Sequence, residues 1–165
     1  MGRSEICSTM SQRLFLLLTA FASLLAAEFR SVEIRVGGIE CLSCAASIEK
    51  YLRKIKGVES AAFRTSDAVA LIALAPDNRV SLAEIRDALK RLGYTPQDAK
   101  VQVRGTAISE SGQWKLRLSG TEQSYVLDPA GAGIEAGNVT VEGEIRPSTG
   151  RQEPEVLRAK TIKRE

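Results

Sequence analysis

The sequence predicts an α+β protein, a βαββαβ sandwich followed by a small all-β unit. Three observations lead there. Over residues 31–104 the hydrophobic pattern switches between strand-like and helix-like periods in the order strand, helix, strand, strand, helix, strand. After residue 105 helical periodicity disappears, and Gly and Ser recur between short alternating runs. The chain is 165 residues long with 44% apolar and 26% charged residues, which suits a packed core in one medium domain or two small ones.

The first segment stands apart from this fold. Arg3 and Arg13 precede the run LFLLLTAFASLLAA, which ends at Ala27. The run falls short of the roughly 20 residues that a membrane-spanning helix needs. A basic start, a short apolar stretch and small residues at its end describe a secretory signal peptide over residues 1–27. Cleavage is expected near Ala26 or Ala27, with a periplasmic or secreted product that keeps no stable membrane span. Cys7 leaves with the leader, so Cys41 and Cys44 are the cysteines of the processed chain. An oxidising destination permits a disulfide between them. Closing so short a loop removes little chain entropy, so the pair reads as reactive or ligating rather than as a staple.

Composition narrows the chemistry further. A net charge of +3 and 5% aromatic residues give no argument for nucleic acid. Histidine is absent, which excludes His-based zinc sites, Ser-His-Asp triads and Cys-His dyads. Metal chemistry would fall to sulfur or carboxylate.

In SVEIRVGG, Val32, Ile34 and Val36 alternate with Glu33 and Arg35, a half-buried strand stopped by Gly37 and Gly38. A helix is expected from about Ser43 to Lys56. Ile48, Leu52 and Ile55 form its inner stripe, and Gly57 is its C-terminal cap. Strands follow at Val58 to Arg64 and Ala68 to Leu74. Ser81 and Glu84 form a capping box, with Val80 and Ile85 as its hydrophobic staple. The second helix runs to Leu92 and ends at Gly93. Tyr94-Thr95-Pro96 reads as a loop, and Ala99 to Arg104 as a final strand.

The segments VGGIECLSCAASIEKYLRKIKGVESAAF and DALKRLGY resemble the heavy-metal-associated domain. This is the ferredoxin-like module of copper chaperones, copper-transporting P-type ATPases and periplasmic mercury-binding proteins. The resemblance spans about residues 31–104. It rests on Gly-x-x-Cys-x-x-Cys after the first strand, Gly-Val after the first helix and Gly-Tyr after the second. It implies that Cys41 and Cys44 bind Cu(I), or another thiophilic ion such as Hg(II), Zn(II) or Cd(II). It also implies a metal-exchanging protein partner, a transporter or metalloprotein. Tyr94 matches a tyrosine that bacterial members place over the metal loop; packing after a helix cap is its other reading. The chain departs from the pattern at Ile39, where a methionine is usual, and at Glu40, where threonine is frequent. Ile39 keeps an apolar plug without the polarisable sulfur. Glu40 is either a solvated loop charge or a carboxylate that raises the neighbouring thiol pKa.

The arrangement suits transfer. Soft thiolates select soft ions. A cysteine at a helix start is favoured as thiolate by the free N–H groups and the helix dipole. Two sulfurs leave the ion open to attack by a partner's thiolates, or to completion by a second copy in a metal-bridged homodimer. The basic residues Lys50, Arg53, Lys54 and Lys56 either steer an acidic partner or form a solvated helix face. The expected role is therefore binding rather than catalysis. The alternative is a periplasmic thiol-disulfide oxidoreductase using the same cysteines. A third reading is an adaptor in which the metal site is vestigial.

Residues 105–165 read as an all-β domain. Strands are expected at Val101 to Ser109, Trp114 to Leu118, Ser124 to Leu127, Val139 to Ile145 and Val156 to Ile162, separated by SESG, SGTE, DPAGAG and RPSTG. The pattern resembles a small bacterial OB-like barrel and carries no site motif. It suits a stabilising or partner-docking unit, and its first strand is placed to continue from the last strand of the preceding unit.

Overall fold

The structure is a computed structural model that describes residues 28–39, 42–118, 121, 123–131, 133–147 and 154–165. The leader, Glu40 and Cys41 lie outside the described residues. The elements are β1 (Phe29–Gly37), α1 (Leu42–Leu52), β2 (Val58–Arg64), β3 (Val69–Leu74), α2 (Leu82–Arg91), β4 (Thr95–Glu110), β5 (Gln113–Arg117), β6 (Ser124–Asp128), β7 (Gly137–Ile145) and β8 (Val156–Arg164).

Strand alternation builds the first layer. β1 to β4 pair in the order β2-β3-β1-β4, antiparallel throughout. Val32, Ile34 and Val36 of β1 and Ala70, Ile72 and Leu74 of β3 are buried. The helices supply Ile48 and Leu52 from α1 and Leu82, Ile85 and Leu89 from α2, all fully buried. Each such Leu, Ile or Val side chain contributes about 1.5–3 kcal/mol on burial. This is the expected ferredoxin-like α+β arrangement.

The ends of α2 follow from local chemistry. The Ser81 side chain accepts a hydrogen bond from the Glu84 N–H at 2.9 Å, and the flanking Val80 and Ile85 are both buried. At the other end Gly93 N–H donates to Lys90 O and Tyr94 N–H to Leu89 O, a Schellman closure. The first helix is shorter than its periodicity suggested. It ends at Leu52, after which Lys54 and Ile55 N–H groups bond back only three residues, to Tyr51 and Leu52. The chain tightens there to enter β2, and Gly57 closes this turn rather than the helix itself.

Thr95 and Pro96 lie in a strand rather than a loop. Thr95 pairs with Gly37 and Pro96 with Val36, beyond a register shift that accommodates the proline's missing N–H. β4 then runs unbroken to Glu110, across residues 104 and 105, so the two strands expected at 99–104 and 101–109 are one. Its first part pairs with β1 on one edge, and Ala99–Ala107 pair with β7 on the other. Its last part pairs with β5. The order β4-β5-β6-β8-β7 returns to β4, closing a five-stranded barrel in which β6 and β8 are parallel. Leu116, Tyr125, Leu127, Val141, Ile145 and Leu157 fill it.

Close backbone approach shapes the barrel. A Cβ on Gly143 would sit 2.4 Å from Arg158 O, and one on Gly105 would sit 2.8 Å from Arg117 O. Both glycines mark places where neighbouring strands press together as the sheet curls.

Contacts across the two layers join them. Phe29 of β1 meets Tyr125 of β6 edge-to-face at a centroid distance of 5.9 Å. Glu28 and Arg104 exchange backbone hydrogen bonds of 3.0 and 2.8 Å. Arg86 of α2, only 6% exposed, pairs with Glu155 beside β8 and donates to Ile145 O at 3.3 Å. Glu155→Ala leaves this guanidinium buried without its counter-charge. The expected cost is about 3 kcal/mol, read as a lower denaturation midpoint. Replacing Arg86 and Glu155 together by leucines should cost less than the single change; an equal or larger loss would show that the pair is not coupled.

Candidate metal centre

The site is built at one end of the first layer. β1 ends at Gly37, and the chain leaves through Gly38, which has φ +84°, and Ile39. Ile39 is half-buried against the core. Glu40 and Cys41 fall outside the described residues. α1 then begins at Leu42, which places Cys44 in its first turn. The positive end of a helix dipole favours negative charge on sulfur there. Cys44 is half-buried and disulfide-bonded in this structure. The chain's other cysteines, Cys7 and Cys41, lie outside the described residues.

Tyr94 reaches the same end by a different route. It follows the Gly93 cap of α2 and precedes Thr95, whose partner in β1 is Gly37. The register therefore sets Tyr94 beside the end of β1, where the chain leaves toward α1 and Cys44. Its side chain is half-buried against the core, so packing is part of its role.

One neighbour was missed from the sequence. A Cβ on Gly37 would lie 2.9 Å from Gln97 Nε2, so the Gln97 side chain crosses the last residue of β1. The Gly37-Gly38 pair was the available signal, since a side-chain-free position at a strand end invites close approach. Gln97 gives no such signal in its own right.

Among the described residues no cluster of three or more His, Cys, Asp or Glu side chains is placed to hold a metal. The surface at the end of α1 and in the turn after it is basic, with Lys50, Lys54 and Lys56 exposed. Lys54, Lys56 and Arg91 share a groove of about 540 Å³ with Glu84 and Asp87 of α2, so the charge there is mixed.

Residues 33–95 match the family model of the heavy-metal-associated domain. This segment of the chain, less than half of it, therefore carries a heavy-metal-associated domain. Among solved structures, the CopZ metallochaperone is 26% identical over 40% of this chain and 97% of its own, with a TM-score of 0.38. The N-terminal domain of a potential copper-translocating P-type ATPase from Bacillus subtilis, solved Cu(I)-loaded, is 29% identical over 41% of this chain and 84% of its own, with a TM-score of 0.38. The yeast copper transporter domain Ccc2a is 24% identical over 44% of this chain and 93% of its own, with a TM-score of 0.37. The search of curated proteins returned no match.

The Gly93 cap holds Tyr94 in place through its φ of +88°. Gly93→Ala forces a Cβ into the left-handed region and should cost about 1–2 kcal/mol. The measurement is the denaturation midpoint together with the Tyr94 ring resonances, which should shift as the cap loosens. Unchanged values in both would mean that the cap does not fix Tyr94.

Proposed function

We propose that this protein is an exported soft-metal carrier that holds Cu(I) between Cys41 and Cys44 and hands it to a partner protein. Hg(II), Zn(II) and Cd(II) are the competing ions of the same chemistry. The observation that carries the reading is Cys44 in the first turn of α1, directly after the β1 loop, inside a segment that matches the heavy-metal-associated domain. Thiolates at a helix start select soft ions. Two sulfurs leave the ion accessible, so an incoming thiolate from a transporter or metalloprotein, or from a second copy, completes the shell and takes the ion. Ile39 supports the loop from below, Glu40 sets its local charge, and Tyr94 flanks it. Residues 1–27 act as the signal peptide that delivers the carrier to the periplasm or exterior. The closed barrel is read as OB-like, a reading supported by the β4-β5-β6-β8-β7 order, and serves to stabilise or dock the carrier.

A second reading draws on the disulfide at Cys44. The same cysteines would exchange thiols and disulfides with substrates, which requires turnover of a disulfide substrate such as insulin.

Reduced protein titrated with Cu(I) against a competing chelator should take up about one ion per chain through paired thiolates. Cys41→Ser and Cys44→Ser should each abolish tight uptake, and uptake unchanged in both variants would sink the carrier reading. Protein recovered from the periplasmic fraction should have the mass of a chain lacking the leader; a full-length mass confined to the cytoplasm would sink export.

A further inference from the structure

The four-stranded layer has two outer strands, and they are treated differently. β4 is covered by β7. β2 is last in the sheet order and, among the described residues, has β3 as its one strand neighbour. An edge of this kind presents unpaired N–H and C=O groups that template pairing with another chain. β2 offers little steric resistance. It contains no proline, and between Glu59 and Arg64 its exposed side chains are the small Ser60 and Ala62.

Two side chains, one on α1 and one just past its end, occupy the edge instead. Glu49 Oε1 accepts the Phe63 N–H at 2.9 Å. Arg53 Nη2 donates to Ala61 O at 2.7 Å and to Glu49 Oε2 at 3.2 Å. Phe63 and Ala61 are two residues apart, so these are the groups that a further strand would use. Glu49 and Arg53 are one helical turn apart and bonded to each other, so each holds the other in place. Their side chains are 29% and 54% exposed, which lets solvent and salt reach the pair without unfolding α1.

We propose that Glu49 and Arg53 form a clamp that closes the β2 edge against a second copy of this chain, whose β2 would otherwise add antiparallel to it. Closed, the clamp stands in for the missing strand. Open, it leaves the Phe63 amide and the Ala61 carbonyl to the incoming backbone. This dimer runs through backbone hydrogen bonds and is distinct from one bridged by metal at the cysteines.

The test compares the full chain with Glu49→Ala/Arg53→Ala in reductant and chelator, which remove disulfide and metal bridges. Sedimentation velocity over a concentration series reads association, and hydrogen exchange reads the Phe63 amide. The variant should exchange Phe63 at least about tenfold faster when dilute, because that amide loses a charge-assisted bond. It should regain protection as it dimerises with rising concentration. Glu49→Gln keeps an acceptor oxygen and should stay monomeric, which separates loss of the clamp from loss of the fold. A double variant that sediments as wild type throughout, or exchanges Phe63 at the wild-type rate, would overturn the proposal.

Discussion

The backbone ladder of β4 is the interaction on which the rest of the molecule depends. This strand bonds to β1 and β5 along one edge and to β7 along the other. It is the outer strand of the four-stranded layer and a wall of the barrel at once. From Ala99 onward its buried residues Ala99, Val101, Val103, Gly105 and Ala107 share one parity. Two units that share a strand share main-chain hydrogen bonds, and sliding one against the other would break them.

That arrangement reaches the end of β1 that leads to Cys44 through short links. β4 starts at Thr95, pairs at once with Gly37, and so ties the end of α2 to the end of β1. The barrel holds α2 from its other side through Arg86, Glu155 and the carbonyl of Ile145. A buried ion pair is weak evidence for net stability, because desolvation offsets its attraction. Its clearer effect is to fix where the helix sits. The helix in turn sets the position of Tyr94 through its cap.

Much of this was legible in the residues. Alternation placed β1, β2 and β3 within a residue or two, and the Ser81, Gly93 and Val80/Ile85 signals placed both ends of α2. The later strands were also found, because turn clusters separate them cleanly. What could not be read were consequences of distant contacts. The expected strand ran through Gly105, but nothing in the sequence showed that Leu116 and Arg117 press against it there. Lys54 to Lys56 kept helical periodicity, but the turn into β2 ended the helix first. Pro96 looked like a loop residue, although a register shift opposite Val36 admits it. Near Cys44, the start of α1 and the Gly93 cap before Tyr94 were read from the residue pattern, while Ile39 and Tyr94 were singled out by the family resemblance. The Gln97 contact could not be read, because it arises from the pairing of β1 with β4.

The position of β1 also sets the order in which the molecule can form. β1 lies between β3 and β4, so both of its partners are made after it, and Phe29 waits for Val103. The β2-β3 and β4-β5 hairpins are local, but the layer and the barrel close only when strands far apart in the chain meet. The barrel needs β8, the last strand described, to meet both β6 and β7. Loop closure on that scale precedes any reward from the contacts, so folding belongs to the slow regime of roughly milliseconds to seconds. The helix start that carries Cys44 is synthesised well before the sheet that orients it. Its sulfur therefore meets the surrounding redox chemistry first as part of an open chain.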